Sequence, residues 1–436
     1  RAVINIANLA RYAGNHSLSH SLYEDLLSKL PNNSVIRRNY LICAEYDPNI
    51  DDKIRFQHAK NWGRWAIEQA GGYKQRPQLK PIHNRRVKLG YVSADFCQHT
   101  VGLFVQDIIK GHDKNRFEIF TYSAGTVKDW VTENIKFSSQ FRDVSGIDDP
   151  TLAQLIKNDD IDVLIDLSGH TAGSRLMAFA YRPAPIMLTW LGYFATTGLP
   201  YFDGVLLDEW HAPAGMQDQF VEPIIKLPSG RFCFSPPKWE TNINSSLPFE
   251  RNGFITFGSF NNTAKYNDNV YDIWAKILRS VPKSKLILKW RTFNCDQFKK
   301  AVITQFKNRG IEAERIELRG PSFHKDLLNE YCDIDIALDP FPFTGGLTTC
   351  EALWMGVPVI TLPSSRAVSR QSASILSVIG YPELIAENTD NYLQKAINLS
   401  SDNSILRKYK ANLKNQMIAS NLIDIEKFTH ELERII

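Results

Sequence analysis

From Val87 onward the chain alternates short β-branched runs with helical stretches of about ten residues, and it does so in two successive series. The first series holds "VKLGYVSADF", "RFEIFTYSAG", "IDVLIDLSGH" and "APIMLTWLGY", with "FVQDIIKGH" and "DPTLAQLIKNDD" as intervening helices. "FCFSPPKWETNINSSLPFERNG" then breaks the pattern with Pro, Asn and Ser. The second series holds "FITFGSF", "SKLILKW", "RIELRG", "IDIALDP" and "PVITLP", again with helices between them. Apolar runs this short, joined by helices, build parallel sheets covered on both faces. The predicted fold class is α/β, with two Rossmann-like doubly wound lobes joined by a hinge. Ligands of such sheets bind outside the carboxyl ends of the strands, and two lobes on one hinge are expected to face those ends into a cleft.

A chain of 436 residues exceeds one ordinary core. Residues 1–71 read as all-helical, with two amphipathic halves around Gly14 and with Tyr23, Leu26, Leu27 and Pro31 at the offsets of a helix-turn-helix repeat. A single repeat cannot bury its own face, so this tetratricopeptide-like segment needs upstream copies or the next domain to cover it; an unrelated helical hairpin is the alternative. "DDKIRFQHAKNWGRWAIEQA" is a further helix with Phe56, Trp62 and Trp65 on its apolar side. The expected organisation is this segment, a linker at 72–86, an N-terminal lobe at 87–235, a hinge at 236–251, a C-terminal lobe at 252–385 and closing helices at 386–436. The chain opens on Arg1 inside a helical pattern, as a piece of a longer protein would.

The balance of 51 basic against 47 acidic residues makes no case for nucleic-acid or membrane binding. Six cysteines (Cys43, Cys97, Cys233, Cys295, Cys332, Cys350) stand singly without zinc spacing, which fits free thiols and a cytoplasmic location. No run reaches the roughly 18 apolar residues of a membrane span, and no signal peptide is visible.

Chemistry concentrates where strands end. In "DPFPFTGGLTTCEALWMGVPVI", from Asp339, a strand feeds a turn and then a helix beginning near Thr348. Free N–H groups at such a helix start, with the Thr348 and Thr349 hydroxyls, suit a diphosphate, and Gly345 and Gly346 let backbone approach it closely. Glu351 can accept from a ribose; a threonine N-cap is the bland alternative. After "FITFGSF", "NNTAK" brings Asn261, Asn262 and Lys265 to another strand end. A lysine within about 4 Å of a phosphate is worth of order 4 kcal/mol at an effective dielectric near 20, enough to serve a leaving group without a divalent metal. The absence of a DxD carboxylate pair agrees with that. In the first series, "GYVSADFCQHTVG" places Asp95 and His99 four apart, and the histidine can orient a hydroxyl or stabilise a phosphate. "DLSGHTAGSR" offers His170, and "TWLGYFATTG" offers Leu191, Gly192 and Tyr193 at a further strand end. Each histidine alone reads better as structural; such loops recurring at strand ends, at least two per lobe, point to one site.

Those motifs, with "RPAPIMLTWLGYFATTGLPYFD", "FGSFNNTAK" and "LDPFPFTGGLTTCEALWMGVPV" in this order, resemble the protein O-linked N-acetylglucosamine transferase/SPINDLY family, glycosyltransferase family 41, from about Leu41 to the end. The resemblance is nearest to its bacterial members and to the plant SPINDLY branch. It implies a GT-B glycosyltransferase carrying tetratricopeptide repeats, inverting and metal-independent, with no cofactor beyond its nucleotide-sugar donor. It implies active-site roles for Asp95 and His99, a donor-phosphate role for Lys265, and a donor contact at Asn262. It also implies phosphate contacts at Thr348 and Thr349 and a ribose contact at Glu351. His170 stands where the animal enzyme has tyrosine, and Leu347 where it has histidine, which bears on donor identity. The expected partners are a UDP- or GDP-sugar and protein or peptide acceptors. The favoured reaction moves GlcNAc from UDP-GlcNAc to Ser/Thr hydroxyls, with His99 as candidate base. The alternatives are O-fucosylation from GDP-fucose, N-glucosylation of asparagine, and a scaffold that binds the donor without turning it over.

Overall fold

The computed structural model describes residues 2–83, 85–239 and 246–436. Residue 84 of the expected linker and residues 240–245 of the expected hinge lie outside the described residues. The chain separates into two compact units: Leu30–Ile42, Asn49–Ser235 and Ile423–Ile436 form one, and Arg1–Lys29, Cys43–Pro48 and Pro236–Leu422 form the other.

The first unit is built on seven parallel strands: β1 (Val87–Ser93), β2 (Phe117–Ser123), β3 (Gln140–Asp143), β4 (Val163–Asp166), β5 (Ile186–Thr189), β6 (Gly204–Leu207) and β7 (Ile224–Lys226). Their spatial order is β3-β2-β1-β4-β5-β6-β7, with every pairing parallel. The second unit carries β8 (Thr256–Ser259), β9 (Lys285–Lys289), β10 (Ile316–Arg319), β11 (Ile336–Leu338) and β12 (Val359–Ile360), in the order β10-β9-β8-β11-β12. Both sheets are doubly wound, as expected. Strand order reverses between β1 and β4 in one and between β8 and β11 in the other, and those are the places where a doubly wound sheet opens a crevice at its carboxyl edge.

Three strands were not anticipated. β3 and β7 are edge strands with mixed exposure, so neither shows a continuous apolar run. β6 is a fully buried Gly-Val-Leu-Leu, too short for its pattern to speak.

The helical segment 1–71 does not stand as a unit of its own; its helices are divided between the two. In the first unit, the helix Asp52–Gln69 starts at an Asp51 side chain that accepts from Lys53 N–H. Its Trp62, Trp65 and Ala66 join one buried cluster with Val92, Leu164 and Phe179 of the sheet and its helices. The contact is backbone against backbone: a Cβ on Gly63 would lie 1.8 Å from the Gly198 carbonyl oxygen. In the second unit, the helices Ala2–Tyr12 and His16–Lys29 meet at Gly14, whose φ of +76° suits glycine. The closing helices are divided too: Thr389–Ser401 and Asn403–Ile418 belong to the second unit, and Ile425–Ile435 to the first. There, Phe428 stacks on Trp190, and Glu433 accepts from the Asp113 backbone N–H. Among the described residues no helix is long and apolar enough to cross a membrane.

Candidate functional site

In the second unit the β8 and β11 carboxyl ends bring the sequence motifs together. β8 runs into Asn261 and a single 3-10 turn, Thr263–Lys265. Asn262 caps that turn by accepting from Ala264 N–H at 3.0 Å. Lys265 is buried, and its Nζ donates to Asn261 Oδ1 and to the Thr344 carbonyl, both at 2.8 Å. Thr348 Oγ1 donates to the same Asn261 oxygen at 3.2 Å. The amine and the first threonine, 83 positions apart by number, therefore meet on one amide oxygen. Two of the ammonium's three N–H bonds are taken by protein acceptors, and a phosphate oxygen suits the third. Burial pulls the Lys265 pKa down to about 8, against the pull of Asp339.

The turn after β11 is organised by Asp339. Its carboxylate accepts from Gly345 N–H and from the Thr361 hydroxyl, each at 2.7 Å, and burial holds its pKa above the usual range. Gly345 is required by close approach: a Cβ there would lie 2.4 Å from Thr349 Oγ1 and 2.9 Å from Thr348 Oγ1. The helix Leu347–Trp354 follows, and the Gly346 carbonyl accepts its first bonds from Thr349 and Cys350. The two threonines differ in duty. Thr348 faces Asn261, while the buried Thr349 hydroxyl pairs with Ser372 Oγ at 2.7 Å. Ser259, Asn261, Tyr331, Asp339, Thr348 and Thr349 are among the residues that line a small cavity there. Glu351 is buried one turn into the helix, with one oxygen 2.6 Å from His324 Nε2.

The first unit carries the other motifs at its own reversal point. After β1, Asp95 and His99 lie 3.7 Å apart, Asp95 Oδ2 to His99 Nδ1. His99 also caps the helix Thr100–Gly111, its Nδ1 accepting from Val101 N–H at 3.4 Å. One nitrogen cannot do both. With Nδ1 accepting, the neutral ring carries its proton on Nε2 and donates there; with Nδ1 protonated, it turns to Asp95. Burial raises the Asp95 pKa, and His99 opposes the rise.

His170 follows β4 but is wholly buried. Its Nε2 lies 2.8 Å from the Thr197 carbonyl, its ring meets Trp62 and Tyr193 edge-on, and burial lowers its pKa to about 4. Neutral, it donates to that carbonyl and holds two loops together. Arg175 is likewise committed, to Asp149 and to the Val144 and Ile147 carbonyls. Leu191, Gly192 and Tyr193 lie past the end of β5. Leu191 has φ +68°, a Gly192 Cβ would lie 2.0 Å from the Leu167 carbonyl oxygen, and the Tyr193 carbonyl accepts from the buried Arg231 guanidinium.

The structure thus gathers Lys265, Gly345, Gly346, Thr348, Thr349 and Glu351 in one region of the second unit, with Asn262 shaping the lysine turn. It sets Asp95 and His99 at the equivalent edge of the first. Sequence reasoning named Asn261 at this strand end without giving it a role and passed over Asp339, Thr344 and His324. Asp339 had a signal, because it opens the Pro/Gly turn; His324 had none. Among the described residues no group of three or more His, Cys, Asp or Glu side chains is arranged to hold a metal.

The model of glycosyl transferase family 41 matches residues 53–235 and 244–432. The chain belongs to glycosyl transferase family 41. Its similarity to SPINDLY proteins of that family is broad. It is 35% identical over 419 residues to one from Oryza sativa subsp. japonica, covering 94% of this chain and 45% of the relative, and 35% identical to that of Arabidopsis thaliana, covering 91% and 44%. Both relatives are named probable UDP-N-acetylglucosamine–peptide N-acetylglucosaminyltransferases. The chain thus spans less than half the length of these relatives. Among solved structures, a mutant O-GlcNAc transferase of Thermobaculum terrenum superposes with a TM-score of 0.92 at 31% identity, covering 99% of this chain and 82% of that one. The family 41 chain therefore has the GT-B fold. A Rickettsia africae glycosyltransferase at 12% identity and a TM-score of 0.51 shares that fold.

Proposed function

We propose that this family 41 chain carries the catalytic machinery of a protein O-glycosyltransferase. It transfers a sugar from a nucleoside-diphosphate donor to Ser/Thr hydroxyls of proteins or peptides in a single, inverting displacement that needs no metal. The favoured donor is UDP-GlcNAc, the sugar nucleotide in the names of the two SPINDLY relatives above. The observation that carries the reading is the junction of the Lys265 ammonium and the Thr348 hydroxyl on Asn261, at the mouth of the helix Leu347–Trp354. A buried cation beside free helix N–H groups opposes charge on a departing diphosphate, the part of such a reaction where charge develops. Asp339 supports both sides, bonding the Gly345 turn and drawing the lysine toward its charged form.

His99 serves the acceptor. With Nδ1 bonded to Val101 its Nε2–H orients a hydroxyl oxygen; as a base it requires the other tautomer, with Nδ1–H toward Asp95. GDP-fucose is the second donor to test, because Leu347 stands immediately before the two threonines where the animal enzyme has histidine.

The test incubates the chain with a peptide mixture and UDP-GlcNAc, GDP-fucose or UDP-glucose in turn, with a chelator present, and reads peptide mass and anomeric configuration. A single β-linked GlcNAc on Ser or Thr from UDP-GlcNAc is expected. Fucose transfer would replace the donor assignment, an asparagine product would replace the acceptor, and no mass shift with any donor would leave a binding scaffold. Loss of turnover with the chelator would remove metal independence.

A further inference from the structure

The lysine of the proposed clamp is not held by its own lobe's loops alone. The ring of Phe343, in the turn between β11 and the helix Leu347–Trp354, lies under the Lys265 ammonium with its centroid 5.0 Å away. Tyr46, the last residue of the helix Ser34–Tyr46, stacks on Phe343 with centroids 4.6 Å apart and planes 21° apart. His16 continues the column, 6.4 Å from Tyr46 and 15° from parallel. The same His16 reaches the lysine turn by a second route: its Nε2 lies 3.2 Å from the carbonyl of Tyr266, the residue after Lys265. Gly14 is pressed so closely to that carbonyl oxygen that a Cβ would come within 2.6 Å of it. Arg366 ties down the backbone beside Tyr46 by donating to the Asp47 carbonyl at 2.7 Å. All of these residues belong to the second unit.

We propose that Tyr46 and His16, contributed by the N-terminal helices, are positioning residues of the diphosphate clamp, setting the aim of the Lys265 ammonium through the ring of Phe343 and the backbone of Tyr266. The inference rests on the reading of Lys265 as the cation that meets the diphosphate. A cation over an aromatic face is held by the ring's quadrupole, and the ring holds its place only while something backs it. Two of the three ammonium N–H bonds are fixed on Asn261 and Thr344, so a shift of the Phe343 face or of the Tyr266 backbone turns the third away from a phosphate oxygen. The helical segment then acts on phosphate affinity without touching the donor.

Calorimetry on the full chain with UDP and uridine, and in parallel with GDP and guanosine, tests this. Tyr46→Leu should weaken the bound nucleoside diphosphate about tenfold while nucleoside affinity stays within about twofold, and Tyr46→Phe should restore the wild-type value. On a Lys265→Ala background, Tyr46→Leu should add nothing, since positioning acts through the lysine. His16→Leu should give the same signature by the separate route, which keeps the idea testable should Tyr46→Leu not fold. Equal weakening of nucleoside and diphosphate, or a full additive loss on the Lys265→Ala background, would overturn the proposal in favour of plain packing. Wild-type diphosphate binding by both Tyr46→Leu and His16→Leu, with Lys265→Ala impaired, would sink the positioning role alone. Wild-type binding by Lys265→Ala would instead remove the reading beneath it.

Discussion

Replacing Lys265 with alanine tests the leaving-group account most directly. A unit charge about 4 Å from a phosphate oxygen contributes of order 4 kcal/mol at an effective dielectric near 20. In the free protein that charge is held at a cost, because burial takes the pKa from 10.5 down to about 8. At about 1.4 kcal/mol per unit, the ammonium is disfavoured there by roughly 3 kcal/mol. Alanine removes the cost along with the charge but gives up the burial of the lysine stem's outer methylenes, about 0.8 kcal/mol each, while Asn261 Oδ1 keeps Thr348 and the Thr344 carbonyl keeps Gln371 as donors. These terms nearly cancel, so the melting temperature should hardly move. The transition state receives no such compensation, and a loss of about 2–4 kcal/mol should lower kcat roughly 30- to 1000-fold.

The pH dependence gives a second reading of the same group. Free Lys265 releases its proton near 8, so affinity for the diphosphate should fall as pH rises through that value, and the fall should vanish in Lys265→Ala. For folding the sign is opposite. An unfolded lysine keeps its proton to about 10.5 while the folded one has released it, so this group adds stability as pH climbs from about 8 to about 10.5. Donor consumption on a peptide mixture, UDP and GDP calorimetry and thermal melts supply the measurements. Turnover by Lys265→Ala within about threefold of wild type, or diphosphate affinity flat from about pH 7 to about pH 9.5, would refute the reasoning.

Three other outcomes are expected. Gly345→Ala should weaken the nucleoside diphosphate at least about tenfold, because its Cβ would lie 2.4 Å from Thr349 Oγ1 and 3.1 Å from Asp339 Oδ1; unchanged calorimetric affinity would show that the turn does not meet phosphate. Glu351→Ala should cost roughly 10- to 150-fold in nucleoside affinity as well as diphosphate affinity, a charge-assisted bond being worth about 1.5–3 kcal/mol; a loss confined to the diphosphate would contradict a ribose role. Gly63→Ala should destabilise the fold by about 1–3 kcal/mol, since the contact is with backbone that cannot swing aside, and an unchanged melting temperature would show that the Gly198 loop yields.

Much of this protein is local enough to be written in order along the chain. Runs such as "VKLGYVS" and "FITFGS" become β1 and β8 because their apolar residues are buried on both faces, and the helices between them leave only parallel crossovers. The doubly wound class, and the gathering of loops at strand carboxyl ends, follow from that alternation. The same reasoning could not divide the helical segment 1–71 between two units, because whether Trp62 or Tyr46 finds its partner on its own hairpin or on a sheet depends on surfaces far away in sequence. Nor could it tell Asn261 from Asn262: the two are adjacent and chemically identical, and only the direction of the chain leaving β8 sends one amide to Lys265 and Thr348 and the other to cap its own turn. His170, a site candidate by its motif, has its ring closed in by Trp62 and Tyr193 from other segments. Residue type and spacing determined which chemistry was on hand and on which edge of each sheet. Which atoms spend their hydrogen bonds on the protein, and which face outward, was decided by long-range packing, because a polar group's duty is set by its nearest partner in space.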